Sequence, residues 1–169
     1  MQTKPITVAV LALGGQGGGT LADWLLEVAE HCGYLAQGTS VAGVAQRTGA
    51  TIYYIEMFPE AAAKAAGKEP VLALMPVPGN VDVVVAAELM EAGRAMMRGL
   101  VTPDRTALVA STHRIYAIGE KTAMGDGRAR SADVLEAAGV RARITVMFDM
   151  DELAQKTGSI ISAVMLGAV

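Results

Sequence analysis

The chain has 169 residues, of which 52% are hydrophobic, and its formal net charge is −3 at pH 7. This length suits one well-buried domain and is too short for two domains of ordinary size. A mildly acidic chain with no basic cluster is not expected to bind nucleic acid. Its apolar runs are interrupted by Gly, Pro or Asp and fall short of the roughly 20 residues that a membrane-spanning helix requires, so no membrane association is expected.

The N-terminal residues and the few metal-binding side chains bear on location and cofactors. Residues 1–5 lead directly into an apolar run and leave no room for a secretory signal peptide, so we expect a cytoplasmic protein. One cysteine, Cys32, and two histidines are too few for an iron–sulfur cluster or a structural zinc site. No metal site is predicted in this chain alone, and Cys32 is interpreted as a small buried side chain.

The most informative segment is a predicted strand, a glycine-rich turn and a predicted helix near the N-terminus. Residues 8–13 form an apolar run, and residues 14–19 contain five glycines interrupted by Gln16. The apolar residues of segment 21–29 then recur with helical spacing. This order is typical of the opening unit of a doubly wound α/β domain. The helix N-terminus would offer unpaired N–H groups to an anion or to a polar group of a partner.

Three interpretations of the glycine turn stay open. The spacing does not match the dinucleotide motif G-x-G-x-x-G, and the second predicted strand, near residues 34–37, ends without the acidic residue that accompanies that motif. Nucleotide or flavin binding is therefore kept as an alternative. The glycines could instead serve only a tight turn and close helix–strand packing. In the third interpretation, the turn faces a partner subunit or its cofactor.

The rest of the chain alternates between predicted strands and helices. Strands are predicted at residues 50–58, 81–87, 106–112 and 144–148, and helices at residues 61–67 (a short helix or a turn), 88–98, 133–138 and 149–156. Ser131 or Asp133 is expected to cap the third of these helices and Gly139 to end it. Proline-rich residues 68–80 predict an irregular connector. The fold class is therefore α/β: one three-layer α/β/α Rossmann-like domain over residues 1–169, with a mostly parallel central sheet of five or six strands.

A second informative segment, residues 38–50, lies between two predicted strands. Gln46 and Arg47 stand there among small and apolar residues. Arg47 is either a solvated arginine at the edge of a loop or a guanidinium that binds a carboxylate, a phosphate or a partner's backbone. His113 follows a predicted strand end, where α/β folds place their sites, so it is either part of a site or an ordinary loop histidine.

These segments carry a family resemblance. The motif Gly14-Gly15-Gln16-Gly17, and the segment 40–49 with its Gln46-Arg47-x-Gly49 motif, resemble the 2-oxoacid:ferredoxin oxidoreductase family. The match is to the gamma subunit or domain, and most closely to the beta subunit of indolepyruvate oxidoreductase. Segments 81–88 and 158–167 resemble later parts of the same family, so the resemblance spans nearly the whole chain.

The resemblance implies a component of an enzyme that decarboxylates a 2-oxoacid, here indolepyruvate or another aryl pyruvate, and releases an acyl-CoA from coenzyme A as cosubstrate. In such enzymes, thiamine diphosphate with magnesium and iron–sulfur clusters are held by partner subunits or domains, and ferredoxin accepts the electrons. This chain alone would be inactive. Its catalytic residues are not assigned, and the residues implied to face the active site or cofactor are Gly14, Gly15, Gln16, Gly17, Gln46, Arg47 and Gly49.

The chain departs from the family pattern in two places. Ala42 occupies a position where family members often have a histidine, so no role of that histidine is carried over. Gly18 and Gly19 replace bulkier apolar residues and are expected to loosen the helix start by about 1 kcal/mol each. The apolar residues of segment 160–166 predict an exposed stripe, which indicates a fragment of a longer polypeptide or a surface that a partner covers.

The remaining candidate side chains receive structural interpretations. Lys121, Arg128 and Arg130 lie in a glycine-punctuated loop and could bind the phosphates of coenzyme A, although a solvated loop is favoured. Met96 and Met97 are interpreted as core-filling side chains. Besides the oxidoreductase component, a free-standing nucleotide- or flavin-binding protein and a purely structural assembly domain are retained as alternatives.

Overall fold

The structure, a computed structural model, describes residues 4–42, 50–116, 120, 124 and 130–169. Within these residues the strands are β1 (Ile6–Leu13), β2 (Tyr34–Ala42), β3 (Ala50–Pro59), β4 (Val83–Ala86), β5 (Ala107–Ser111) and β6 (Ile144–Phe148). They form one sheet in the order β2-β3-β1-β4-β5-β6. Strands β1, β4, β5 and β6 pair in parallel, and β3 runs antiparallel to both of its neighbours. The predicted mostly parallel sheet is confirmed.

Six helices complete the described fold. They are α1 (Gly18–His31), α2 (Glu60–Ala66), α3 (Leu89–Met97), α4 (Ser131–Arg141), α5 (Met150–Thr157) and α6 (Ile161–Ala168). Residues of α1, α5 and α6 pack on one face of the sheet, and residues of α3 and α4 pack on the other. This is the predicted three-layer α/β/α arrangement.

The central strands are buried on both faces because helices cover both sides of the sheet. In β1, Ala9 and Leu11 point into the core beneath α3 and α4, and Val8 and Val10 point into the core beneath α1. All four side chains are at most 2% exposed. The uninterrupted apolar character of this strand follows from that double coverage.

Three predicted boundaries are wrong. Strand β2 continues to Ala42, because its residues pair with β3 as far as Thr51, so the segment that begins at residue 38 is not wholly a connection between strands. Helix α4 begins after Arg130 with no side-chain cap, so neither predicted cap is used. It also passes through Gly139, which lacks the positive φ that a left-handed helix end requires.

Several burial predictions are also wrong. Cys32 is exposed, because it lies at the end of α1, where the helix leaves the sheet. Met96 is buried, but Met97 is 90% exposed, because the two side chains point in different directions from α3. The stripe at residues 160–166 is largely covered: Met165 is fully buried against the core beneath α1, and among its large apolar side chains only Ile160 is more than half exposed.

The predicted irregular connector, residues 68–80, contains no helix or strand and is tied to the sheet by polar contacts. Buried Glu56 accepts hydrogen bonds from the backbone N–H of Ala73 at 2.8 Å and from the Tyr54 hydroxyl at 2.5 Å. Thr39 donates to the carbonyl of Leu74 at 2.7 Å. Burial and the nearby Glu56 carboxylate raise the pKa of Tyr54. Separately, none of the described helices is long and apolar enough to cross a membrane.

Candidate functional site

The candidate site lies at one edge of the sheet, which we call the carboxyl edge: the ends of β1, β4, β5 and β6. Open α/β sheets place their sites at this edge, where connections leave the parallel strands toward opposite faces. Here α1 follows β1 onto one face and α3 follows β4 onto the other. Because β1 and β4 are adjacent, the glycine turn lies beside the point where the chain changes faces.

The glycine turn, residues 14–17, is held by short-range hydrogen bonds. Gln16 donates its backbone N–H to the carbonyl of Leu13 at 3.1 Å, and its side-chain Oε1 accepts the Leu13 N–H at 2.8 Å. Gly15 and Gly17 have φ values of 87° and 69°, a left-handed conformation that favours glycine. The sequence of the turn is therefore dictated in part by its backbone.

Close packing explains Gly18, the first residue of α1. A Cβ there would lie 2.6 Å from the Cβ of Ala12 and 2.8 Å from Cε2 of Tyr53. The absence of a side chain thus allows the helix to approach β1 and β3. By contrast, no described atom lies within 4 Å of a Cβ built on Gly14 or Gly15. These two glycines are free of steric demands from the described part of this chain.

Gln16 has an unusual buried amide. The side chain is 8% exposed, and its Nε2 has no hydrogen-bond partner among the described residues. A buried donor without an acceptor costs about 1–3 kcal/mol, so such a group calls for a specific explanation. An acceptor supplied by another molecule or by another part of the assembly would provide one.

The helices that directly follow β1, β4 and β6 differ in how their N-termini are capped. Glu88 caps α3 and Asp149 caps α5 with their carboxylates. Gly17 occupies the N-cap of α1 and has no side chain to offer. The first N–H groups of α1 thus lack a side-chain acceptor within the described residues.

Glu88, which follows β4 at the carboxyl edge, has a structural role that the sequence analysis did not predict. It is 1% exposed and accepts hydrogen bonds from the N–H groups of Met90, Glu91 and Ile115. The sequence signal was present: a carboxylate between an apolar strand and a helix is a typical cap. One turn on, burial raises the pKa of the Glu91 carboxyl despite the nearby Arg94 guanidinium.

His113 is fixed at the carboxyl edge by two neighbouring elements. Its Nδ1 lies 2.7 Å from Oγ of Ser111, and Ser111 also accepts the N–H of Met150 at the start of α5. The His113 carbonyl accepts the N–H of Leu89 at the start of α3. The structure thus places His113 at the predicted edge, held by the backbone of α3 and α5.

The structure describes one of the two predicted motifs, the glycine turn, and not the other. Gly14, Gly15, Gln16 and Gly17 form the turn at the carboxyl edge, whereas Gln46, Arg47 and Gly49 lie outside the described residues. Strand β3 begins at Ala50, which pairs with Leu13, so the chain re-enters the described structure beside the end of β1. Lys121 and Arg128 also lie outside the described residues, and Arg130 is exposed before α4.

The topology does not favour dinucleotide binding. In that class of site, an acidic residue at the end of the second strand lies beside the first strand and binds the ribose. Here β3 separates β1 from β2, and β2 contains no carboxylate. Nor does any group of three or more His, Cys, Asp or Glu residues in the described part of the chain form a metal-binding cluster.

The fold and its carboxyl edge define a doubly wound α/β domain with a glycine turn at the switch point. A protein-family model described as pyruvate ferredoxin/flavodoxin oxidoreductase matches residues 7–169. The chain therefore belongs to the pyruvate ferredoxin/flavodoxin oxidoreductase family, and the resemblance noted in its sequence is confirmed at the family level. No curated protein sequence matches the chain significantly.

Solved structures share the fold at low sequence identity. One is the pyruvate oxidoreductase subunit PORC from Thermotoga maritima, with a TM-score of 0.60 and 20% identity, covering 97% of this chain and 74% of that one. Another is a keto/oxoacid ferredoxin oxidoreductase gamma subunit from Geobacter sulfurreducens, with a TM-score of 0.55 and 12% identity, covering 95% and 70%. At these identities the likeness establishes the fold.

Proposed function

We propose that this chain is the gamma-type component of a thiamine diphosphate-dependent 2-oxoacid:ferredoxin oxidoreductase, with indolepyruvate as its substrate. The observation that carries the proposal is the family match over residues 7–169. The names of the two structural neighbours, both oxidoreductase subunits, support the gamma-type role. The preference for indolepyruvate is supported by the sequence resemblance described above.

In this proposal the chain binds none of the redox cofactors itself. Thiamine diphosphate with magnesium, and the iron–sulfur clusters, belong to partner subunits or domains, coenzyme A is the cosubstrate, and ferredoxin accepts the electrons. The single cysteine and two histidines of the sequence fit this division of labour, because cluster ligation requires several thiolates. The assembly would work in the cytoplasm.

The carboxyl edge is proposed to face the active-site subunit. Three observations support this orientation: the N-terminus of α1 has no side-chain cap, Nε2 of Gln16 lacks a described partner, and the described structure leaves space above Gly14 and Gly15. Together they provide N–H donors and a close backbone approach for polar groups of a partner. Gln46, Arg47 and Gly49 are proposed to contribute to the same interface. These residues would shape or close the pocket and leave the bond-breaking steps to the partner.

The test is to isolate the native protein from its source cells under anaerobic conditions and to identify what accompanies it. The material is then assayed with indolepyruvate, coenzyme A and a low-potential dye. We expect a thiamine- and cluster-bearing chain to co-purify and the dye to be reduced only when oxoacid and coenzyme A are both present. Pyruvate in place of indolepyruvate serves as the matched substrate control.

Two results would contradict the proposal in different ways. Faster dye reduction with pyruvate than with indolepyruvate would leave the assignment as an oxidoreductase component standing and make pyruvate the proposed substrate. A colourless, inactive protein without partners would contradict the proposal that the chain is an oxidoreductase component. In that case a rise in melting temperature with NAD, FAD or ATP would identify a free-standing nucleotide- or flavin-binding protein, because a ligand that binds the folded state stabilises it.

A further inference from the structure

A groove between α3 and α4 lies on the sheet face opposite α1 and apart from the glycine turn. The two helices pack together at Gly93, where an added Cβ would lie 3.5 Å from Val134. Beside this contact lies a cavity of about 610 Å³. We call it the α3–α4 groove, and its lining residues are Met90, Gly93, Arg94, Met96, Met97, Arg130, Asp133, Val134, Ala137 and Arg141.

The floor and walls of the groove are apolar and rich in methionine. Met96 is 6% exposed and belongs to the core, whereas Met97 on the next position is 90% exposed. Methionine side chains are unbranched and adapt their shape to irregular partners. Met97 adds an exposed apolar side chain to the apolar lining of the open groove. The predicted core role of Met97 is thus replaced by a surface role.

The rim of the groove is positively charged, although the whole chain carries a net charge of −3. Three arginines and one aspartate line it. Arg94 pairs with buried Glu91 at 2.5 Å, and Arg130 lies 3.6 Å from Asp133. Arg141 is exposed and forms no ion pair with any described residue. At least one guanidinium therefore remains available to a carboxylate from outside the chain.

We propose that the α3–α4 groove docks an acidic amphipathic helix of a partner polypeptide. Apolar side chains of that helix, spaced at i, i+3, i+4 and i+7, would lie between α3 and α4, and a carboxylate of that helix would meet Arg141. Charge complementarity and the methionine content select this occupant, because Met and Arg are the residue types enriched where proteins meet. The identity of the partner as another oxidoreductase subunit rests on the proposed function.

The groove is tested in the native assembly with a photo-crosslinking amino acid in place of Met97. This position tolerates replacement because its side chain packs against little of its own chain. The cross-linked peptide is identified by mass spectrometry, and dye reduction with the oxoacid is measured on the same preparation. We expect cross-links to one helical segment with acidic residues beside an apolar stripe.

A charge-reversal pair supplies the matched control. Arg141→Glu should reduce the recovery of the partner by about tenfold or more, the effect of roughly 1.4 kcal/mol on association. Arg143→Glu introduces the same charge change at an exposed arginine that does not line the groove, and should change recovery less than twofold. Equal melting temperatures of the two isolated variants would show that both are folded.

The outcomes separate this inference from the proposed function. Oxoacid-dependent activity without a cross-link from position 97 overturns the groove proposal and leaves the function standing. A cross-link to an acidic helix in an inactive assembly supports the groove and removes the function. The proposed occupant is overturned by cross-links to a basic or extended segment, to a second copy of this chain, or to a small anionic molecule. It is also overturned if Arg141→Glu and Arg143→Glu recover equal amounts of the partner.

Discussion

At the scale of single residues, Gly18 shows how a helix position can demand the residue with nearly the lowest helix propensity. Sequence reasoning assigns a cost of about 1 kcal/mol to glycine in a helix relative to alanine. The structure introduces an opposing term, because a Cβ at this position would lie 2.6 Å from Ala12 and 2.8 Å from Tyr53. The added Cβ would meet a strand side chain and an aromatic ring, so α1 would have to move to remove the overlap.

We therefore predict that Gly18→Ala lowers the free energy of unfolding by about 1–3 kcal/mol, the usual cost of overpacking. Gly14→Ala is the matched control, since no described atom lies near its added methyl group, and it should change stability by less than about 0.5 kcal/mol. Urea denaturation of both variants measures the difference. A stabilised Gly18→Ala protein would show that helix propensity outweighs packing here.

A second residue-scale feature fastens the start of β1 to the start of β4. Asp82 accepts hydrogen bonds from the backbone N–H and the hydroxyl of buried Thr7, each at 2.9 Å, and pairs with Arg105 at 2.8 Å. Burial disfavours the ionised carboxyl, but hydrogen bonds from Arg105 and Thr7 outweigh it and lower the pKa of Asp82. The carboxylate is thus more stable in the folded chain than in the unfolded one.

Because the folded-state pKa of Asp82 is lowered, its contribution to stability is fully present above the unfolded value of 3.8 and is lost as pH falls through the folded value. We predict that Asp82→Asn is less stable than the wild type by about 1–2 kcal/mol at pH 7 and that the difference shrinks below about pH 4. Thermal unfolding from pH 7 to pH 3 measures it. Asp23→Asn, at an exposed position of α1, is the matched control and should change stability at pH 7 by less than about 0.5 kcal/mol.

At the scale of elements, α3 depends on the carboxylate that precedes it. Glu88 is 1% exposed and satisfies N–H groups of α3 and of Ile115 beyond β5. The same side chain therefore caps the helix and joins two connections at the carboxyl edge. Leu89, its neighbour, donates to the carbonyl of His113, which ties α3 to the segment after β5.

We predict that Glu88→Ala lowers the free energy of unfolding by about 2–4 kcal/mol, because a cap is lost and buried N–H groups remain unpaired. Glu88→Gln retains an acceptor oxygen and should lose less. Glu136→Ala, at an exposed position of α4, removes the same charge from a helix surface. Equal losses in urea denaturation for Glu88→Ala and Glu136→Ala would contradict the capping role.

At the scale of the whole molecule, side chains of the proposed partner interface should affect turnover of the assembly and have little effect on the stability of the isolated chain. Arg47→Ala is predicted to lower oxoacid turnover of the isolated complex by roughly tenfold or more, because misplacement at an interface disturbs the reacting geometry. Turnover with Arg47→Lys should lie between those of the wild type and Arg47→Ala, since lysine keeps the charge but lacks the planar guanidinium of arginine. Arg143→Ala provides the control. Unchanged turnover with Arg47→Ala in an intact complex would favour a purely structural assembly domain.

The sequence by itself determined the alternation of strands and helices and the fold class. Its apolar runs and glycine turns report local backbone preference and burial, which act over a few residues. The irregular connector at residues 68–80 was predicted for the same reason. The glycine turn was also placed correctly, because a strand, a turn and a helix in succession leave little choice of local geometry.

The tertiary structure decided what depends on contacts between distant segments. It inserted β3 between β1 and β2, covered Met165 with α1, exposed Cys32 and Met97, and continued α4 through Gly139. It also brought Ser111, His113 and Met150 together at one edge. Strand order and burial depend on which faces meet after the chain folds, and a local pattern of residues does not encode the partner that each face will find.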